Sequence, residues 1–255
     1  MKHKTNKIGF FLGFAFPYFC LVCEAFAQGK TEQKLSQPLF IMIALATLSL
    51  LPILLIMMTS FVKISVVLAL LRNALGTQQI PPNQVITGLS LILTIYIMVP
   101  VGLEVYRNAQ SVIEQKTNQG FLSQATLGMA QEAVKRGREP LRTFLARHAT
   151  DENRSLFYNL AKKMRKAEDR DQVQNNDFLI LTPSFLVSEL SKAFQIGFII
   201  FLPFLVIDMV IANILLSLGM FQLSPITVSL PFKLLLFVLV DGWYLVVKGL
   251  VLGYI

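Results

Sequence analysis

Cysteine is nearly absent from this 255-residue chain: Cys20 and Cys23 are the two there are, both within the first 27 residues. Neither follows the small residues of a lipoprotein site. Removal of that stretch as a leader would leave a mature chain with no thiol, excluding a disulfide framework, thiol catalysis and a cysteine-based metal site. Histidine is as scarce, with His3 in the same stretch and His148 in a polar helix end, where it reads as a surface residue flanking its helix. No HExxH, no phosphate-cradling GxxxxGK[ST], no GxSxG and no cluster of metal ligands occurs. The expectation is therefore a protein that is not an enzyme, with no catalytic residue, no metal and no cofactor. Charged residues are few as well. They make up 15% of a chain that is 54% hydrophobic, with a mean hydropathy of +0.60, a balance that points to a membrane protein. The net charge of +8 is not a nucleic-acid signature, because no basic stripe carries interleaved aromatics.

The rest of the composition falls into alternating apolar and polar stretches. Residues 1–27 read as a secretory signal peptide. Lys2, Lys4 and Lys7 form its positive start, Ile8 to Val22 its apolar centre, and Ala25-Phe26-Ala27 a cleavage site between Ala27 and Gln28. An uncleaved signal anchor is the alternative. After a short segment, 28–38, residues 39–103 read as a first hydrophobic helical pair. Its first run, Leu39 to Leu71, is interrupted by Pro52 and carries Lys63 as its one charge. It is either one span with a helical extension or a hairpin turning near Pro52. The polar break from Arg72 to Gln84 has Gly76 as a helix stop and Pro81-Pro82 as a rigid turn. Val85 to Leu103 is the next apolar run. With the mature start outside, Arg72 falls on the cytoplasmic side.

From Glu104 to Asp177 the composition changes to 13 Lys and Arg against 10 Asp and Glu. Ser123 is placed to cap a helix that runs to Arg136 and stops at Gly137. Pro140 begins a short helix with Leu141, Phe144 and Leu145 on one face. Asp151 is placed to cap another, in which Leu156, Phe157, Leu160 and Met164 recur at helical spacing as a small core. The 162-KKMRK-166 run reads as a solvated helix face. Signal-peptide topology puts this helical domain, 104–177, on the periplasmic side of a bacterial inner membrane.

The last third, 178–255, is a second hydrophobic hairpin with a tip. Thr182 reads as an N-cap and Pro183 as the first helical residue. Ser184 to Leu218 is too long for a plain span, at about 52 Å for helix rising ~1.5 Å per residue, and Pro203 is the expected kink. Gly219 to Pro231 connects it to a second apolar run. Glu189, Asp208, Lys233, Asp241 and Lys248 sit among apolar residues, each costing about 2.5–3.5 kcal/mol at the centre of a lipid-facing helix. Most should therefore face protein or water. Glu189 has Lys192 one turn on as a partner, and Lys248 is long enough to snorkel. A secondary transporter or ion channel would use Asp208 and Asp241 as a coupling pair; the internal repeat such a protein predicts is not seen.

Three strings carry a family resemblance: 71-LRNALGTQQIPPNQV-85, 182-TPSFLVSELSKAFQIGFIIFLPFLVIDMVIANILLSLGM-220 and 227-TVSLPFKLLLFVLVDGW-243. Together they resemble the FliP/SctR family, core subunits of the type III secretion export apparatus. The resemblance implies an all-α membrane protein, two long helical hairpins flanking a small periplasmic helical domain, in a homopentameric ring. It implies as partners FliQ/SctS-type and FliR/SctT-type subunits, the export-apparatus switch protein, the large export gate protein and unfolded substrates in transit. By the same resemblance Glu189 and Lys233 match positions of inter-subunit contact, and Asp208 and Asp241 fall in the family's I-D and D-G-W strings. Relatives carry a run of methionines after the glycine that closes the pore. Here the positions are Met220, Phe221 and Gln222, so one of three keeps methionine. The FVLVDGW string is common on the flagellar side of the family, while the IANILLSLGM string leans toward an injectisome.

Overall fold

The computed structural model describes residues 42, 45–46, 49–50, 52–53, 56–77, 80–114, 132–166, 170 and 173–255. The signal peptide with its Ala27–Gln28 site, segment 28–38, most of the run before Met58 and the Ser123 cap lie outside the described residues. Those described form helices and turns, with no strand among them. The helices are α1 (Phe61–Leu75), α2 (Asn83–Glu114), α3 (Glu139–His148), α4 (Asp151–Met164), α5 (Phe178–Ser217), α6 (Pro225–Leu239) and α7 (Gly242–Leu252). Residues 132–137 form a further helical turn.

Two compact units result. One is built around Met98–Phe185; the other contains Ser60–Ile97 and Leu186–Ile255. The second unit is built on α1. Its buried residues Ile64, Val67, Leu68, Leu71, Ala74 and Leu75 recur at helical spacing and form one stripe. Against that stripe pack Ile86 and Leu93 of α2, Ala193 and Phe204 of α5, Phe237 of α6 and Leu250 of α7. The helix ends as its sequence dictates. Arg72 lies in the last turn, where a cation meets the negative end of the helix dipole, and Gly76 closes it at φ 76°. Gly197 brings α5 against α1, since a methyl there would overlap Leu70 Cδ1 and come 3.0 Å from its Cβ. Small residues permit such backbone approach between apolar helices.

In the first unit, Val105, Val134, Leu141, Phe144, Leu145, Ile180, Leu181 and Phe185 are buried. Helix α3 begins with Pro140 in its first turn and buries Leu141, Phe144 and Leu145, as its spacing predicts. Acidic residues open α3 and α4 and basic residues close them, complementing both dipoles. The ring of Phe144 packs 5.7 Å from Phe185 and 4.7 Å from His148. His148 is buried there, a correction to the surface reading: the last turn of α3 presents it beside Phe144.

Several expectations change. Leu156, Leu160 and Met164 are not core, since all three are exposed, Met164 at 87%; α4 instead turns Asn153, Arg154, Phe157, Tyr158 and Ala161 inward to partial burial. Helix α2 does not end with the apolar run but continues to Glu114. Helix α5 begins at Phe178, so Thr182 is not its N-cap. The start is set by Asp177, whose carbonyl accepts from Ile180 and Leu181 and whose carboxylate accepts the Gln174 N–H. The helix then runs 40 residues, as one element through Pro183 and Pro203. The connection after it is shorter than predicted. Helix α6 starts at Pro225, after Ser224, and contains Pro231 in its interior.

Asn83–Gln110 and Phe178–Ser217 are long and apolar enough to cross a membrane; Pro225–Leu239 and Gly242–Leu252 together make a third candidate, bent by 61°. Pro100 lies inside the first of these. Interior prolines are tolerated in such helices where neighbouring groups re-satisfy the freed backbone.

Candidate functional site: a bare apolar tip and two ionic clusters

The turn between α5 and α6 is a Schellman stop. Met220 N–H donates to the Leu215 carbonyl at 3.0 Å, and Gly219 N–H to that of Leu216 at 3.1 Å. Both bonds require a left-handed residue after the helix, and Gly219 has φ 72°. Beyond the glycine the chain is apolar and open. Met220 is 47% exposed and Phe221 77%, with Leu218 and Leu223 exposed beside them; Gln222 is exposed too. The three positions singled out by resemblance therefore sit together in one interhelical turn.

Behind the tip lies the first ionic cluster. Lys233, buried on α6, donates to Asp208 Oδ2 of α5 at 2.6 Å and to the Ala74 carbonyl at 3.4 Å. Ser229, one turn before Lys233, donates to Asp208 Oδ1 at 2.5 Å. Both carboxylate oxygens are thus used. The Ala74 carbonyl belongs to the last turn of α1, where the helix dipole favours a cation. One ammonium therefore ties α1, α5 and α6 together. Asp208 is not paired with Asp241, as a carboxylate coupling site would need. Its carboxylate belongs to Lys233 and Ser229.

The second cluster surrounds Glu189 of α5, which has 0% exposure. Lys192, one turn on, donates to Oε1 at 3.0 Å, as its spacing predicts. Lys63 of α1 approaches Oε2 at 3.5 Å. The hydroxyl of Tyr254 donates to the same oxygen, and its ring lies under Lys63 Nζ, 4.1 Å from the centroid. Lys63 and Tyr254 were not singled out from sequence. The signal for Lys63 was available: a lone ammonium in a 33-residue apolar run demands an anion, and the chain offers few. Nothing comparable marks Tyr254.

Asp241 occupies neither cluster. It is exposed and forms the elbow between α6 and α7 at φ 52°, ψ 51°. Aspartate is one of few residues that visit this left-handed region. Phe237 caps the inside of the bend against Gly242, where a methyl would collide with its ring, and stands edge-on to Trp243 at 5.5 Å. Lys248 is exposed, 5.4 Å from the Tyr244 ring. No group of three or more metal-ligating side chains occurs among the described residues.

Residues 44–250 match the FliP family. The chain belongs to the FliP family. Among its relatives, the Yop proteins translocation protein R of Yersinia pestis is 45% identical over 87% of this chain and 98% of its own length. The flagellar biosynthetic protein FliP of Bacillus subtilis is 41% identical over 89% of this chain and 96% of its own. The hypersensitivity response secretion protein HrcR of Ralstonia nicotianae is 40% identical over 81% and 93%. These relatives are flagellar and secretion proteins at similar identity, so this FliP-family chain is a membrane-helix protein of type III secretion, as its three strings led one to expect.

Proposed function

We propose that this chain is a non-enzymatic core subunit of a type III export gate, one of five copies in a ring. With FliQ/SctS-type and FliR/SctT-type subunits it forms the inner-membrane channel through which unfolded substrates leave. The export-apparatus switch protein and the large export gate protein are further partners; the driving energy comes from elsewhere in the machine, and substrate selection belongs to cytosolic partners. We favour an injectisome, on the IANILLSLGM string. The helical stretch from residue 104 to 177 faces the periplasm.

The observation that supports this reading is the tip. An exposed Met and Phe held at the end of a Schellman turn suit a constriction that must close around nothing or around a threaded chain. Unbranched, polarizable methionine repacks around many shapes, and an apolar ring also blocks ions by dewetting. In this assignment Met220 and Phe221 line the constriction and Gln222 turns away from it. Asp208 and Asp241 keep open surface and supply inter-subunit contacts. Glu189 and Lys233 contribute by fixing the helices that carry those contacts.

Purification in mild detergent tests the assembly: a stable five-copy ring holding two small hydrophobic partners is expected, and a lone dimer that binds solute would overturn the gate. Replacing Met220 by Ala in the assembled gate is expected to raise ion leak. Unchanged conductance would remove Met220 from the constriction.

A further inference from the structure

Helix α7 is hinged at one end and fastened at the other. At the hinge, Val240 and Asp241 break the α6–α7 pair, and the exposed Asp241 makes no side-chain cap. Among its own residues α7 buries Gly242, next to that hinge, and Leu250, and rests Val246, Val247 and Val251 half-buried on the same core. The far end is held differently. Just past α7, Tyr254 is buried, and its hydroxyl and ring engage Glu189 and Lys63 together. Gly253 admits this close approach, since a methyl there would come 3.3 Å from Lys63 Nζ.

We propose that Tyr254 is a latch, that Asp241 is its hinge, and that α7 swings as a unit when the latch opens. The chemistry of the cluster favours Tyr254 as the member that leaves. It is the neutral partner of a buried carboxylate that keeps two ammonium groups, Lys63 at 3.5 Å and Lys192 at 3.0 Å, once the phenol has gone. Withdrawing either lysine instead would strip counter-charge from a buried ion, which is far more costly. Lys63 is then a positioning residue. It sets the height of the Tyr254 ring and shares its acceptor oxygen. The inference rests on the packing of this unit and not on the proposed gate, so it stands or falls separately.

Hydrogen exchange on the full chain in mild detergent tests it, with Tyr254→Phe and Tyr254→Ala. Losing a hydrogen bond to a charged acceptor corresponds to a shift of at least about tenfold in an opening equilibrium. Amides of 245–252 in Tyr254→Phe should therefore exchange at least about tenfold faster. Those of α1 and α5 should stay within twofold. Tyr254→Ala should exchange faster still in α7 alone. The latch is overturned if α7 is unchanged in both Tyr254 variants. It is equally overturned if α1, α5 and α7 accelerate together, because Tyr254 would then be ordinary core.

Discussion

A carboxylate with no open surface is tolerable only if its charge is met, and Glu189 is met from three sides. Removing Lys63 alone would leave a buried anion short of one cation. We expect Lys63→Met to destabilise the chain by about 3 kcal/mol, the lower end of the range for breaking a buried pair because Lys192 remains. Replacing both partners, Lys63→Met with Glu189→Leu, should recover most of that loss. Denaturant unfolding in mild detergent, followed by the fluorescence of the single tryptophan, Trp243, measures both. A double variant as damaged as the single one would mean that packing at Lys63, and not charge, is what matters. Sequence made plain that these ionised groups needed shelter. It did not reveal that three of them find it within one chain, because the partners are remote: Lys233 meets the Ala74 carbonyl across 159 positions. Nor does a buried tyrosine announce itself in a run as apolar as 242–255.

Helix boundaries were legible where the stop is a local chemical act and obscure where it is set by packing. Gly76 and Gly219 end their helices as glycines in the left-handed region must. The Thr-Pro pair at 182–183 looks like a helix start, yet Asp177 upstream provides one first, and proline then costs one backbone bond inside the helix. The elbow at Asp241 was hidden because the residues around it are uniformly apolar. Two glycines make the close packing testable. A methyl at Gly197 would overlap Leu70, so Gly197→Ala should cost about 1–3 kcal/mol. Adding Leu70→Ala should return part of that, as a double-mutant cycle between touching residues requires. Gly242→Ala should displace the Phe237 ring at similar cost and alter the emission of Trp243. Simple additivity at Gly197 and Leu70 would deny the contact.

At the scale of the whole chain, the loop after α1 and the tip before α6 belong to the same end of their unit. A methyl on Gly76 would lie 3.7 Å from Ile226 Cγ2 and 3.7 Å from Lys233 Nζ, and Ile226 comes a few residues after the tip. Helix α2 leads from that loop into the polar stretch and α5 leads back from it, each long and apolar enough to cross a bilayer. The topology proposed above puts Thr77 and Gln222 on one side of the membrane and Lys163 on the other. The scarcity of cysteine makes the point measurable. With Cys20 and Cys23 changed to Ser, single cysteines at 77, 163 and 222 can be treated in intact cells with a membrane-impermeant maleimide, before and after the inner membrane is opened. Residue 163 should label from the periplasmic side, and residues 77 and 222 only after opening. Labelling of 77 and 222 from opposite sides would contradict the packing of Gly76 on Ile226. Labelling of all three from the periplasm would instead mean that α2 and α5 do not cross, and that their length serves a helical assembly outside the bilayer.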